Sequence, residues 1–400
     1  MTITLQCLKQ CHALVSLPVR LIAAIVCISA LLTGCKTTSR TTTPALKTQN
    51  VFLITTDGLR WQEVFAGADE LLLTNATLNA NPDRMQQLFG KPTTEARRRY
   101  LMPFVWSRIA VSGQLYGNQD KGSEARVTNG KNFSYPGYNE FLTGSPDPRI
   151  DSNAAKPNPN TNVLEWLNEQ PRFHGKVAAS VNWKSIPWIL NTPRSQLPVW
   201  NSFLTPPGAP VVSSPEILRD LSIDMTPVFT YITFDAFPFH AALDYLDKHQ
   251  PRVFYVAFNE TDEWAHEGKY DRYLVATRRV DRFIADLWAY CQSTPQYRDK
   301  TTFIITTDHG RGSGPEEWKS HSKTIAGSEN TWIAVIGPDT PPLGERENCA
   351  PVTAGQVAAT IAAFLGEDYS KSNPQTAPSL AEAIVPGAGL TKPLSHENHP

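Results

Sequence analysis

A set of aspartate and histidine side chains recurs in the sequence close to apolar runs that are typical of β-strands. Its members are Asp57, Asp262, His266, Asp308, His309 and His321. Asp57 directly follows the run 50–56, and the adjacent pair Asp308 and His309 directly follows the run 302–307. In an open α/β sheet, the carboxyl ends of parallel strands are where the active site forms. We therefore expect these side chains to meet at one edge of a sheet.

The residue types in this set indicate what they could bind. Aspartate and histidine together are typical ligands of zinc. Asp262 and His266 are four positions apart, which puts both on one face if the segment is helical. His321 adds a further imidazole ahead of the run 331–336. The pattern predicts the metal centre of a two-metal hydrolase.

A candidate nucleophile lies between Asp57 and Asp262, in the stretch 132–144. Ser134 stands two positions before Pro136, and proline is well tolerated in the first turn of a helix. The amides at such a helix start would face an incoming phosphate, and a bound metal would activate the hydroxyl. Thr128 is the less favoured alternative nucleophile. Ser134 could instead simply cap the helix.

The elements that must position these residues alternate between strand-like and helix-like segments. This alternation predicts an α/β fold with a mostly parallel central sheet and helices on both faces. Apolar residues at helical spacing predict helices over 236–249, 273–288 and 352–365. We assign the catalytic domain to residues 49–366 and expect a loosely ordered tail over 367–400.

Two segments of the predicted domain lack clear periodicity. Residues 60–100 are polar and predict an irregular stretch, in which Arg97, Arg98 and Arg99 form a solvated run of charge. Residues 184–230 are rich in proline and tryptophan. Long loops of this kind are often functional lids, so we expect a lid or cap insertion, with an inert packed excursion as the alternative.

The amino-terminal region has the pattern of a lipoprotein-type signal peptide over residues 1–35. An apolar core at 21–32 is too short to span a bilayer comfortably, and Leu32–Cys35 resembles a bacterial lipobox with Cys35 as the lipidated residue. A polar tether follows over 36–48. We expect a protein of the bacterial cell envelope, anchored in the outer membrane and facing the periplasm. An ordinary secretory signal or an uncleaved anchor is the alternative.

Composition narrows the class of protein further. The hydrophobic content of 41% is that of a globular protein, and the formal net charge of −1 gives no reason to expect a nucleic-acid partner. Outside the signal peptide only Cys291 and Cys349 remain. An oxidising compartment permits a disulfide between them, and two separate thiols are equally compatible with the sequence.

The order of these motifs resembles the alkaline phosphatase superfamily, and particularly its nucleotide pyrophosphatase/phosphodiesterase branch. The resemblance covers residues 50–365 in outline. It implies two zinc ions, one held by Asp262, His266 and His321. The other would be held by Asp57, Asp308 and His309.

The same resemblance places the nucleophile at Ser134, where that branch has a threonine or serine. Phe133 replaces a basic residue that is often found before the nucleophile, and Gly137 stands where asparagine is usual. Contacts to the phosphate oxygens therefore do not carry over directly. Asn132, Asn139 and Arg311 are the candidates for that role.

These observations together predict a metal-dependent phosphoric-ester hydrolase that acts on a small-molecule substrate through a phosphoseryl intermediate. Phe133 and the tryptophan-rich segment favour phosphodiesters over phosphomonoesters. A sulfatase-like hydrolase is one alternative, although Tyr138 stands where the sulfatase motif has arginine. A non-catalytic surface lipoprotein on the same fold is the other.

Overall fold

The computed structural model describes residues 45–203 and 205–389. The predicted signal peptide, Cys35 and most of the predicted tether lie outside the described residues. The strands are β1 (Asn50–Thr56), β2 (Gln114–Tyr116), β3 (Ala125–Arg126), β4 (Val177–Val181), β5 (Val199–Asn201), β6 (Val253–Phe258), β7 (Thr301–Thr306), β8 (Ile333–Ile336), β9 (Gly344–Glu345) and β10 (Val352–Thr353).

Helices connect most of these strands. The α-helices are α1 (Trp61–Ala66), α2 (Glu70–Leu73), α3 (Pro82–Phe89), α4 (Thr94–Leu101), α5 (Ala110–Ser112), α6 (Ser134–Thr143), α7 (Val163–Glu169), α8 (Ile186–Ile189), α9 (Thr192–Ser195), α10 (Glu216–Asp224), α11 (Ala236–His249), α12 (Glu260–His266), α13 (Tyr270–Ser293), α14 (Gly314–Glu317) and α15 (Gln356–Phe364). A π-helical turn covers Val105–Ile109, and short 3₁₀ turns cover Gln119–Lys121, Tyr369–Lys371 and Ala381–Ala383.

The central sheet has eight strands in the order β5-β4-β6-β1-β7-β8-β2-β9. Strand β8 runs antiparallel to both of its neighbours, while the other pairings are parallel. The predicted α/β fold with a mostly parallel sheet is confirmed. Because β8 is reversed, its start at Ile333 pairs with the end of β7 at Thr306. The loop that enters β8 therefore lies at the same edge as the carboxyl ends of β1, β6 and β7.

Strand β1 shows why an unbroken apolar run forms the centre of the sheet. Successive side chains of a strand point to opposite faces. Phe52 and Ile54 pack into the core on one face, and Val51 and Leu53 pack into the core on the other. Helices cover both faces, so the middle of a central strand carries apolar residues toward both of them.

The long helices agree closely with the sequence, while the segment 60–100 does not. Helix α11 spans the predicted residues, and α13 extends the predicted helix at both ends. The prediction of an irregular segment over 60–100 is wrong, because α1 to α4 lie there. Arg98 is also buried rather than solvated, since it stacks 3.6 Å from the ring centre of Trp106 and pairs with Glu345 at 3.3 Å. Short helices stabilised by such tertiary contacts carry little periodicity of their own.

The segment 184–230 divides into two parts. Its first part belongs to the body of the domain, since α8 and α9 lead into β5, which pairs with β4 at the edge of the sheet. Its second part contains α10, whose Leu218 forms a small apolar cluster with Trp200, Phe237 and Ala241. That a part of this segment acts as a lid stays a prediction.

The residues after the last helix also pack against the domain. Tyr369, Leu380 and Ala383 are buried in one of the two cores, so residues 367–389 pack where the sequence predicts a loosely ordered tail. Cys291 and Cys349 are separate free thiols. Within the described residues, no helix has the combined length and apolar character needed to span a bilayer.

Candidate metal centre and nucleophile

The predicted site residues meet at one edge of the sheet. Asp57 follows β1, Asp308 and His309 follow β7, and Asp262 and His266 lie on α12, which begins two residues after β6. His321 lies in the loop that leads into β8, and Ser134 is the first residue of α6. The structure thus brings together every residue that the sequence proposes as a metal ligand or as the favoured nucleophile.

The first ligand set consists of Asp57, Asp308 and His309, all of which are buried. The Nε2 atom of His309 lies 3.3 Å from Oδ1 of Asp57 and 3.4 Å from Oδ2 of Asp308. Those two carboxylate oxygens are buried and have no hydrogen-bond partner among the described residues. His309 donates its Nδ1 proton to the carbonyl of Gly310 at 2.9 Å, which leaves the lone pair of Nε2 facing the carboxylates.

Nε2 of His309 and the two carboxylate oxygens converge, and of these three atoms only Nε2 has a further hydrogen-bond contact, with the Ser134 hydroxyl. Burial raises the pKa of Asp57 and of Asp308, and a negatively charged neighbour (Asp262 and Asp57, respectively) raises it further. Buried polar atoms ordinarily find a partner, because leaving one unsatisfied costs about 1–3 kcal/mol. A divalent cation would satisfy all three atoms at once. The donor set therefore fits a metal ion, and nitrogen with carboxylate oxygen is a combination that suits zinc.

The second ligand set surrounds Asp262. Ligand atoms of Asp262, His309 and His321 all lie within 4.8 Å of one another, so His309 is shared between the two sets. His266 adjoins them, with its Nε2 atom 3.2 Å from Oδ2 of Asp262 and 3.0 Å from Nε2 of His321. His321 donates from Nδ1 to the carbonyl of Asn132 at 3.0 Å, which turns its Nε2 atom toward Asp262.

Asp262 differs from the first set because it has a cation of its own. Arg311 donates to Oδ1 of Asp262 from its fully buried guanidinium. Burial acts to raise the pKa of Asp262, but the charges of His266 and Arg311 outweigh it and hold that pKa well below its usual range. Asp262 is therefore ionised and paired with a cation. In the first set, by contrast, Asp57 and Asp308 each keep one carboxylate oxygen without a hydrogen-bond partner.

Ser134 faces both ligand sets from the start of α6. Its hydroxyl oxygen lies 3.4 Å from Nε2 of His309, and the residue is buried apart from its contact with the cleft. Thr128 is held elsewhere, since its hydroxyl and its backbone amide both donate to Glu140 at 2.8 Å. Of the two candidate nucleophiles, the structure places Ser134 and not Thr128 beside the ligands.

Helix α6 approaches the ligands closely because of one glycine. A Cβ atom at Gly137 would stand 2.1 Å from the carbonyl oxygen of Asp308. Only a residue without a side chain permits this contact between the helix and the end of β7. Gly137 stands where the resembled branch usually has asparagine, and this close contact explains why a glycine is needed here.

The three residues proposed to contact phosphate are bound to other groups. Asn132 donates to the hydroxyl of Ser328 at 3.1 Å and Asn139 to the carbonyl of Ser145 at 3.3 Å. Arg311 donates from Nε to the carbonyl of Trp318 at 2.8 Å and from Nη2 to that of Lys319 at 2.5 Å. None of the three lines the cleft in front of Ser134. Arg311 and Asn132 instead orient two candidate ligands, Asp262 and His321.

Three residues that were not among the predicted site residues hold Asp57 in place. Asn259 donates from Nδ2 to Oδ2 of Asp57 at 2.7 Å, and the hydroxyl of Tyr138 donates to the same oxygen at 3.2 Å. Thr261 donates its hydroxyl proton to the carbonyl of Asp57 at 2.5 Å. Asn259 directly follows β6, as Asp57 follows β1, so its position at a strand end was the available signal.

A cleft of about 480 Å³ opens in front of Ser134 and the ligands. Its other walls include Trp183, Lys184, Tyr231 and Ile232. The ammonium of Lys184 lies 4.1 Å from the ring centre of Tyr231, which holds a positive charge at the wall of the cleft. The cleft combines convergent polar groups with an aromatic side, as small-molecule sites commonly do.

Comparisons with known proteins agree with this geometry. Residues 235–368, which contain five of the six candidate ligands, match the family model of the Metalloenzyme superfamily. Phosphonate monoester hydrolase SpPMH from Silicibacter pomeroyi is similar with a TM-score of 0.51 and 13% identity, over 86% of this chain and 78% of that chain. A mutant of alkaline phosphatase PafA is similar with a TM-score of 0.55 and 10% identity, over 85% of this chain and 99% of that chain.

This chain has the fold of the alkaline phosphatase superfamily. The lipoteichoic acid synthase LtaP from Listeria monocytogenes shares it, with a TM-score of 0.52 and 9% identity over 89% of this chain and 79% of that chain. No curated protein matches by sequence. The match to the Metalloenzyme superfamily model and the candidate metal-binding groups together indicate a site for a divalent metal ion. The nucleotide pyrophosphatase branch stays a prediction.

Proposed function

We propose that this protein hydrolyses phosphoric esters through Ser134, with phosphodiesters favoured over monoesters and two zinc ions as cofactors. The observation that carries the proposal is the position of the Ser134 hydroxyl, 3.4 Å from Nε2 of His309 at the start of α6. A hydroxyl at the first residue of a helix faces the positive end of the helix dipole, where a phosphate group is stabilised.

The ligand sets divide naturally between two ions. Asp57, Asp308 and His309 would hold one, and Asp262 and His321, with His266 beside them, would hold the other. When bound, such ions lower the pKa of the serine hydroxyl and neutralise charge on the phosphoryl oxygens. Tyr138 and Asn259 keep Oδ2 of Asp57 occupied, so that its Oδ1 atom stays directed toward His309.

The reaction proceeds as two displacements at phosphorus. In the first, the Ser134 oxygen gives up its proton and forms a bond to phosphorus, while the bond to the alcohol oxygen breaks and the alcohol leaves with a proton. In the second, a water oxygen forms a bond to phosphorus while the bond to the Ser134 oxygen breaks. The serine regains its proton and the phosphate product departs. Lys184, at the wall of the cleft, attracts the anionic substrate.

The preference for diesters rests on the walls of the cleft. A monoester carries one more charged oxygen than a diester and needs more positive groups, whereas a diester needs room for its second ester group. The proposed phosphate contacts Asn139 and Arg311 point away from the cleft, and Trp183, Tyr231 and Ile232 form an apolar side. This composition supports the diester.

The test is turnover of three aryl esters by the purified protein supplied with zinc. They are 4-nitrophenyl phosphate, bis(4-nitrophenyl) phosphate and 4-nitrophenyl sulfate. We expect kcat/KM for the diester to exceed that for the monoester by tenfold or more, equivalent to about 1.4 kcal/mol in the barrier. A preference of that size for the monoester would overturn the diester assignment. A preference for the sulfate would overturn the phosphoric-ester assignment as a whole.

We further propose that the mature protein is anchored through a lipid on Cys35 to the outer membrane and faces the periplasm. The proposal rests on the lipobox-like Leu32–Cys35 sequence and on the polar tether after it. Metabolic labelling with an alkyne fatty acid should mark the wild-type chain and not the Cys35→Ala variant. Equal labelling of both chains would contradict the assignment of Cys35.

A further inference from the structure

A second, apolar pocket of about 220 Å³ lies next to the cleft. Its lining includes the apolar side chains Phe203, Met225, Val228, Phe229, Phe234 and Phe237. No charged side chain lines it among the described residues. A space of roughly 150 Å³ lined by apolar groups is sufficient to bind a benzene ring. This pocket is therefore large enough for a hydrocarbon group.

The pocket and the cleft meet at Ile232, which lines both spaces. Ile232 is almost fully buried and forms a β-bridge to Trp183, itself a wall residue of the cleft. The preceding residue, Tyr231, lines the cleft and is half exposed. A substituent on an ester held in front of Ser134 would pass Tyr231 and Ile232 to reach the apolar pocket.

Three of the four hydroxyl side chains in the pocket lining are already paired with one another or with the backbone. The hydroxyls of Ser202 and Thr233 lie 2.9 Å apart and share a hydrogen bond. Ser222 donates to the carbonyl of Arg219 at 2.7 Å. A sugar or a nucleobase would lose hydrogen bonds to water here and gain few in return. A hydrocarbon chain has no such loss.

Apolar side chains also continue outside the pocket along the same segment. More than half of the exposed large apolar side chains of the described residues lie between positions 211 and 231. Among them, Met225 and Val228 are 40% and 55% exposed, and both line the pocket. Concentrated exposure of this kind is unusual for a surface without a ligand.

We propose that this pocket binds an alkyl chain on the second ester oxygen, so that the substrate is a lipid-like phosphodiester. The inference rests on the proposed function and narrows its substrate class. Each methylene that enters the pocket is expected to contribute about 0.8 kcal/mol, or roughly a fourfold gain in binding. With the leaving group held constant, kcat/KM should therefore rise with chain length.

The experiment is a series of 4-nitrophenyl alkyl phosphates with methyl, propyl and hexyl chains. For the wild-type protein supplied with zinc, kcat/KM is expected to rise at least tenfold from methyl to hexyl. Val228→Asp should abolish this rise and leave the methyl ester unaffected, because a carboxylate would then line the pocket. Ile223→Asp is the matched control, since Ile223 is 75% exposed in the same segment and does not line the pocket.

The outcomes separate this inference from the proposed function. Hydrolysis of the methyl ester with no gain from longer chains would overturn the alkyl pocket while the proposed function stands. An equal loss of chain-length dependence in Ile223→Asp would also overturn the pocket, because it would show a general surface effect. If no ester is hydrolysed, the proposed function fails, and calorimetry with methyl and hexyl phosphate then tests the pocket alone. Equal affinity for the two would overturn it.

Discussion

The side-chain amide of Asn259 donates to Oδ2 of Asp57 at 2.7 Å, while Oδ1 of Asp57 remains directed toward Nε2 of His309 at 3.3 Å. One oxygen of the carboxylate is thus held by the protein, and the other is left for a cation. Asn259 also donates to the hydroxyl of Tyr138 at 2.9 Å, so both donors to Oδ2 are fixed together. Such outer contacts determine how a ligand is presented to its metal.

Replacing Asn259 by alanine should therefore weaken metal binding. We expect the zinc affinity of Asn259→Ala to fall by about 10- to 100-fold, measured by competition with a chromogenic chelator. Asn50→Ala is the control, because Asn50 is a buried amide at the opposite end of β1 that donates to the carbonyl of Gln296. It should lower stability without changing zinc affinity. Equal zinc affinity in wild type and Asn259→Ala would show that Asn259 does not orient Asp57.

The nucleophile assignment predicts a separation between binding and turnover. Ser134→Ala should retain the zinc content of the wild type and lose at least about three orders of magnitude in kcat, since only binding and electrostatic catalysis remain. Thr128→Ala should change kcat by a few-fold at most, because Thr128 contacts Glu140 rather than the ligands. Near-normal turnover by Ser134→Ala, or a comparable loss in Thr128→Ala, would reject Ser134 as the nucleophile.

Much of this site follows from the sequence because its residues stand at strand ends. Asp57, Asp308 and His309 each follow a continuous apolar run, and a parallel sheet brings such ends to one edge. The partners of Arg311, which was proposed to contact phosphate, could not be predicted from the sequence. An arginine after the Asp–His–Gly motif could face either substrate or protein, and its partners Asp262, Trp318 and Lys319 are set by the tertiary fold.

The apolar pocket illustrates the same limit of sequence interpretation. The segment 184–230 lacks periodicity, so its proline and tryptophan content indicated only an unusual loop. Trp200 proves to anchor the segment, since it packs with Leu218 and donates from its indole to the hydroxyl of Ser214 at 2.8 Å. Contacts of this kind join residues without a regular spacing, and no pattern along the chain reveals them.

The close approach of α6 to the end of β7 gives a steric prediction. In Gly137→Ala, the added Cβ atom would meet the carbonyl of Asp308 at 2.1 Å, so the helix must move away. We expect a loss of about 1–3 kcal/mol in the free energy of unfolding and a fall in kcat of tenfold or more. Urea unfolding and aryl diester turnover would measure the two effects. Unchanged kcat would show that the position of Ser134 tolerates displacement of its helix.

Lys184 should distinguish monoesters from diesters, because the monoester carries the larger negative charge. In Lys184→Met we expect kcat/KM to fall about tenfold for 4-nitrophenyl phosphate and only two- to threefold for the bis-aryl diester. Lys248→Met is the control, since Lys248 is exposed near the end of α11 and pairs with Asp244. Equal losses for both esters in Lys184→Met would mean that its charge does not interact with the additional phosphate oxygen.

Asp281 provides a pH-dependent contribution to stability that does not involve the metal centre. Its carboxylate accepts the backbone amides of Phe104 and Val105 at 2.8 and 2.9 Å, and burial raises its pKa to about 7. The folded state therefore binds this proton more tightly than the unfolded state, where the pKa is near 3.8. Its stabilising contribution is complete below about pH 4 and is lost as the pH rises to 7. The free energy of unfolding changes over this range by no more than about 1.4 kcal/mol per pH unit.

Asp281→Asn has no proton to lose, so urea unfolding between pH 4 and pH 8 should show a flatter profile for this variant than for the wild type. Parallel profiles would mean that Asp281 is already ionised in the folded protein and that its two amide hydrogen bonds outweigh its burial.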